Sequence, residues 1–123
     1  MIDLDANFLV DAFLPQTSSA RIIDRWIHRG ERLNISSIAW AEFLCGPVEA
    51  DDARAARSIL TAIEPLRDVD AEHAAELFNA TGRRNRSLAD CMIAASAIRK
   101  RARLATLDET DFARFRGFGL KLA

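Results

Sequence analysis

Ser87-Leu88-Ala89-Asp90-Cys91-Met92-Ile93-Ala94-Ala95-Ser96-Ala97-Ile98 is the stretch on which the reading of this chain turns. Between Leu88 and Ile98 only Asp90 and Ser96 are polar, and neither Gly nor Pro interrupts, which describes a helix buried on nearly all sides. A carboxylate inside such a helix is costly unless hydrogen bonds or a cation compensate it. One explanation is local. Ser87 as N-cap, with Asp90 three residues on, forms an S-x-x-D capping box at the positive end of the helix dipole. The other is a functional site, whose remaining members must then be found elsewhere in the chain.

Working back from that helix, the polar loop Gly82-Arg83-Arg84-Asn85-Arg86 follows an expected helix over 71–80 and a weak strand over 66–69. Before these lie an Ala- and Arg-rich helix over 51–63, then a helix that Ser37 can cap and that Gly46-Pro47 stops. Residues 33–36 read as a strand. The N-terminal part begins with a strand over 1–4 and a short helix over 8–14 stopped by Pro15. A helix to His28 follows, capped by Ser18 or Ser19 and closed by Gly30. Working forward, strand 103–107, a short helix over 110–115 and a last strand over 118–122 complete the chain. The alternation predicts one α/β domain spanning 1–123, with a mostly parallel sheet of about five strands flanked by helices.

Composition bounds the function. At 123 residues and 50% hydrophobic the chain fits one domain with a real core, and a net charge of −1 gives no global attraction to polyanions. No apolar run suits a membrane span and the N-terminus lacks the pattern of a signal peptide, so a cytoplasmic protein is expected. Cys45 and Cys91 sit in apolar helical contexts and are expected to be buried free thiols. Neither His28 nor His73 has a partner at metal-binding spacing. Of the 17 basic residues only Lys100 and Lys121 are lysine. Arginine suits bidentate contacts to phosphate or carboxylate, and Arg83, Arg84 and Arg86 precede the Asp90 helix. Arg99, Lys100, Arg101 and Arg103, at its far end, complement the helix dipole.

In a parallel α/β sheet the ligand crevice lies outside the carboxyl ends of the strands. Asp5 and Asp108 fall at the ends of two strands. Helices between parallel strands run the opposite way, so Asp90 and Glu42, early in their helices, belong to the same edge. Four carboxylates gathered there would repel by an amount on the order of several kcal/mol at the effective dielectric of a partly buried site. No Lys or Arg is adjacent in sequence to Asp5, Glu42 or Asp90, and Mg²⁺ or Mn²⁺ is the natural counter-charge for such an all-oxygen cluster.

Asp5-Ala6-Asn7, Ala41-Glu42-Phe43, Leu88-Ala89-Asp90-Cys91-Met92-Ile93-Ala94-Ala95 and Ala105-Thr106-Leu107-Asp108-Glu109-Thr110-Asp111-Phe112 together resemble a PIN domain, of the VapC toxin type found in type II toxin–antitoxin modules. The resemblance covers essentially the whole chain in order and spacing. It implies an endoribonuclease dependent on Mg²⁺ or Mn²⁺ that uses activated water on single-stranded or looped RNA. Its catalytic acids would be Asp5, Glu42, Asp90 and Asp108, with Asp5 and Asp90 as principal metal ligands, Glu42 a ligand directly or through water, Asp108 a metal ligand or water orienter, and Asp111 as a substitute for Asp108. Asn7 and Thr106 would support the carboxylates; Arg83, Arg84 and Arg86, placed at the crevice rim by the loop before the Asp90 helix, would grip RNA phosphates or a partner's acidic residues, or else form a solvated polar loop. A cognate VapB-like antitoxin and a homodimer are the implied partners. Two rivals stand beside this. Asp3-Leu4-Asp5 also suits a haloacid-dehalogenase-like phosphatase, although Lys100 and Lys121 are misplaced for that chemistry, and a catalytically silent PIN-like module would use its acids only to start helices.

Overall fold

In the computed structural model, which describes residues 1–84 and 87–123, strand β1 (Ile2–Leu4) is the centre of a five-stranded sheet. It pairs in parallel with β2 (Leu33–Ser36) on one side and, across the sheet, with β4 (Arg103–Ala105) on the other. Beyond β2 lies β3 (Ala62–Glu64), and beyond β4 lies β5 (Lys121–Leu122), both again parallel. The order β3-β2-β1-β4-β5 reverses direction between β1 and β4, which makes the carboxyl ends of those two strands the topological switch point.

Seven α-helices among the described residues flank the sheet: α1 (Ala6–Ala12), α2 (Ser18–His28), α3 (Ser37–Cys45), α4 (Ala50–Ile59), α5 (Asp68–Ala80), α6 (Leu88–Lys100) and α7 (Glu109–Phe112). A 3₁₀ turn, Ala113–Phe118, runs on from α7 and is turned into β5 by Gly119 at φ +103°, a conformation that suits glycine. As the sequence requires, α6 is buried on nearly all sides: Cys91, Ile93, Ala94, Ala95 and Ala97 are each at most 2% exposed. Ile2 and Leu4 on β1, Leu33 and Ile35 on β2, and Leu104 on β4 complete the core beneath it. No helix of the described residues is long and apolar enough to cross a membrane.

The chain departs from the sequence reading in several places. The third strand is Ala62–Glu64 rather than 66–69, and α4 stops at Ile59, where Leu60 turns extended. Ile59 and Ile63 keep a helical spacing, but Asn34, Ile35 and Ser36 of β2 offer an unpaired edge that Ala62, Ile63 and Glu64 take up, and tertiary pairing overrides local pattern. Helix α5 starts earlier than expected because Asp70 reaches back to accept a hydrogen bond from the Arg67 amide at 3.0 Å. The caps also move by one residue. Thr17, not Ser18 or Ser19, accepts from the Ala20 amide, and Ser36, not Ser37, accepts from the Ala39 amide, leaving Ser37 to accept from Leu66. Cys91 is buried but Cys45, in the last turn of α3, is exposed.

Candidate active site

The edge predicted for the site is where the acids are. Asp5 follows β1 and is 5% exposed; it caps α1, its Oδ1 accepting from the Ala6 amide at 2.9 Å. Its Oδ2 accepts from the Thr106 hydroxyl at 2.7 Å, and Thr106 follows β4, so the bond spans the switch point. The Thr106 oxygen also accepts from the Asp108 amide at 3.0 Å. Asn7 bridges the same two strand ends: its Oδ1 accepts from the Leu107 amide at 3.0 Å, while its Nδ2 donates to Asp108 Oδ2 at 2.9 Å. Asn7 thus hydrogen-bonds Asp108, and Thr106 hydrogen-bonds Asp5.

Asp90 occupies the first turn of α6. The local explanation for it fails, because Ser87 makes no side-chain cap. Its hydroxyl instead donates to the Arg84 carbonyl at 2.7 Å, and among the described residues Asp90 makes no hydrogen bond in the helix start. Burial pushes its carboxyl from 3.8 up to about 6, the charges of Asp5, Asp108 and Asp111 adding to the rise and that of Arg114 opposing it. Asp5 is raised as well, by burial first and by Asp108 among the charges, against the hydrogen bonds from Thr106 and Ala6. Glu42, exposed on α3, is raised by desolvation of its carboxyl and then by the charges of Asp5 and Asp90. The charges of Asp5 and Asp108 thus both oppose ionisation of Asp90, and those of Asp5 and Asp90 oppose ionisation of Glu42. Asp111, exposed on α7, touches this network only through Asp90.

The basic residues fall out differently. Arg83 turns back on α5, its Nη1 donating to Asn79 and its guanidinium lying 5.3 Å from the centre of the Phe78 ring. Arg84 is exposed, and Arg86 lies outside the described residues. Lys100 is committed to Asp3 on β1, Nζ to Oδ2 at 2.6 Å, so no lysine stands at the strand ends to balance a phosphoenzyme. The sequence reading missed Arg114. It follows α7, a helix that starts at the same sheet edge, and its Nη2 stands 3.8 Å from Asp90 Oδ2. The signal was that same rule of edges, applied to acids and not to bases.

Among the described residues no three His, Cys, Asp or Glu side chains stand close enough together to enclose a cation as they are placed. The donor chemistry nonetheless fits a hard divalent ion. The set is carboxylate oxygens only, their ionised forms are mutually unfavourable, and the nearest base makes no close ion pair.

Residues 2–117 match the family model described as PIN domain. The fold is similar to that of a chain in the VapBC2 complex of Rickettsia felis, solved with a DNA fragment from its promoter, at 23% identity and a TM-score of 0.78, over 100% of this chain and 98% of that one. It is also similar to VapBC-1 from nontypeable Haemophilus influenzae, at 22% identity and a TM-score of 0.77, over 100% of this chain and 97% of the other. VapC20 of Mycobacterium tuberculosis, described as a toxin that cleaves the sarcin-ricin loop, aligns at 19% identity and a TM-score of 0.68, over 92% of this chain and 93% of its own. Curated protein sequences give no match.

Proposed function

Because this chain belongs to the PIN domain family, we propose that it is an endoribonuclease dependent on Mg²⁺ or Mn²⁺ and the toxin of a type II toxin–antitoxin pair, acting in the cytoplasm. The observation that carries the reading is Asp90: a half-buried carboxylate in an apolar helix that does no capping work and lies among Asp5, Glu42 and Asp108. Asp5, Asp90 and Asp108 would hold the cation, with Glu42 as the fourth acid directly or through water, and Asp108 is preferred over Asp111 because Asn7 fixes it. A bound divalent ion would supply Lewis-acid charge at the scissile phosphate and lower the pKa of water.

The chain's own residues do the rest. Thr106 and Asn7 hold two of the carboxylates at the strand ends before any ligand arrives, which removes reorganisation from the reaction. With no imidazole in the cluster to deprotonate a ribose 2′-OH, the attacking group is water, and cleavage leaves a 5′-phosphate and a 3′-OH. Exposed Arg83 and Arg84 supply a salt-sensitive hold on a splayed single strand, with Arg86 beside them in sequence. A VapB-like antitoxin seats apolar residues along the groove of about 310 Å³ that Phe13, Ile23, Ile27 and Ile59 line between α2 and α4. A second copy of the chain covers exposed apolar residues such as Leu14 and Leu44.

The test is the end chemistry of the cut. Purified protein should cleave single-stranded RNA with Mn²⁺ or Mg²⁺, stop in EDTA, and leave 5′-phosphate ends. Cyclic-phosphate ends, or undiminished cutting in EDTA, would remove these four acids from the mechanism.

A further inference from the structure

Two of the site's carboxylates are braced by a side chain from the neighbouring strand end, and a third is not. Asp5 has a neighbouring hydroxyl on one oxygen, from Thr106, and Asp108 has an amide on one oxygen, from Asn7. Asp90 has a guanidinium near one oxygen, from Arg114, but the contact is open at 3.8 Å, beyond hydrogen-bond reach. Arg114 is held on its other side: Nη1 donates to the Asp111 carbonyl at 2.7 Å, and the guanidinium lies 4.4 Å from the centre of the Phe115 ring. Among the described residues its Nε and Nη2 are buried without an oxygen or nitrogen hydrogen-bond partner. The Cys91 thiol beside them is a weak acceptor that does not satisfy a cation. Buried unpaired N–H groups on a charged side chain cost free energy, so this arrangement awaits a partner.

The two orphaned atoms form one edge of the guanidinium fork. Elsewhere in the molecule the same edge is closed on a carboxylate: Arg99 Nε and Nη2 donate to Asp70 Oδ1 and Oδ2 at 2.7 and 3.1 Å. We propose that Arg114 is the positioning residue of Asp90, its Nε–Nη2 edge closing on Asp90 Oδ2 and presenting the opposite oxygen to the cation. This rests on the metal-dependent reading above and goes beyond it by assigning the support of the third acid. Because Nε and Nη2 are buried, they act on the carboxylate from behind and do not contact RNA.

A role for geometry and a role for charge alone predict opposite signs. A bare positive charge beside the site repels a cation, so removing it would tighten Mn²⁺ binding. Loss of a positioning partner weakens it, by about 10- to 100-fold for an outer partner of a metal ligand. Mn²⁺ affinity is therefore measured by thermal shift without RNA on wild type, Arg114→Lys, Arg114→Gln and Asp90→Asn, alongside melting curves in EDTA as the check on folding. Both Arg114 variants should bind Mn²⁺ at least tenfold more weakly, Lys included, since it keeps the charge and loses the fork. In an Asp90→Asn background Arg114→Lys should change nothing further. Wild-type affinity in Arg114→Lys, or tighter binding in Arg114→Gln, overturns the assignment while leaving the nuclease reading standing. A wild-type protein that Mn²⁺ does not stabilise overturns both.

Discussion

The two ends of helix α6 handle acids in opposite ways. At its C-terminal end Arg99 grips Asp70 with both arms of its fork, and Lys100 meets Asp3 at 2.6 Å. Asp70 is held below the ordinary carboxylate range: burial alone would raise it, but the hydrogen bonds from Arg99 and the Arg67 amide outweigh that. Asp3 shows the limit of such pairing, since burial still lifts it despite Lys100. At the N-terminal end of this 13-residue helix, Asp90 has, among the described residues, only a distant Arg114 and is pushed up to about 6. Acids that the fold pairs serve the fold.

Asp90→Asn is the largest test of that contrast. The substitution keeps shape and removes a charge that only a cation requires, so RNA cleavage should fall at least about a thousandfold, on the order of 4 kcal/mol in the barrier. The fold should not suffer. Asp90 has a raised folded-state value, so its ionisation opposes folding, an opposition absent well below 3.8 and complete above about 6. In EDTA the Asn variant should therefore melt a few degrees higher than wild type at pH 7.5 and together with it at pH 3, a gain of about 1 kcal/mol once solvent screening is allowed for. Retained cleavage in a folded Asn variant would show that the two ends of α6 do not differ in kind.

At the other end the sign reverses. Arg99→Met leaves the Asp70 carboxylate, 1% exposed, without its fork, and breaking a buried pair from one side costs about 3 kcal/mol. Asp70 has a depressed folded-state value, so its ionised form stabilises the fold above the ordinary carboxylate value, and that contribution is lost as pH falls through the depressed one. Urea melts of wild type and Arg99→Met should differ at pH 7 and converge toward pH 3. A difference that persists unchanged at pH 3 would mean that lost packing, not the ion pair, accounts for it. Mn²⁺ affinity should be unaffected.

Much of this was legible from residue order. The apolar run from Leu88 to Ile98 becomes a helix buried along Cys91 and Ile93 to Ala97, although Leu88 is exposed at its start, and β2 falls where Leu33 to Ser36 placed it because all four of its residues are buried. The convergence of Asp5, Glu42, Asp90 and Asp108 followed from the rule that strands end where helices begin. What stayed hidden depended on partners distant in sequence. Ala62–Glu64 carries no strong strand pattern and becomes a strand only because β2 has an open edge. Ser87 looked like a cap, but the Arg84 carbonyl claimed its hydroxyl. Arg99 and Lys100 looked like partners of a helix dipole, and each instead found an acid from another element. Cys45 looked buried because its neighbours are apolar, yet the last turn of α3 faces outward.

The smallest expected effect concerns Thr106, the residue that ties the two central strand ends together. Its hydroxyl donates to Asp5 at 2.7 Å and accepts from the Asp108 amide at 3.0 Å, and the residue is 5% exposed, so water cannot easily stand in for it. Thr106→Val keeps the branched shape and deletes both bonds, with a cost to stability of about 1 kcal/mol. The Asp5 carboxyl, already raised by burial, loses the strongest group holding it down and rises further, which disfavours its ionised form. Mn²⁺ affinity and cleavage should both fall about tenfold, and the loss in cleavage should shrink as pH is raised and Asp5 ionises again. Thr106→Ser restores the hydroxyl and should recover most of the activity. A Val variant that binds Mn²⁺ and cuts RNA like wild type would show that Asp5 needs no bracing across the switch point, and that β1 alone places it.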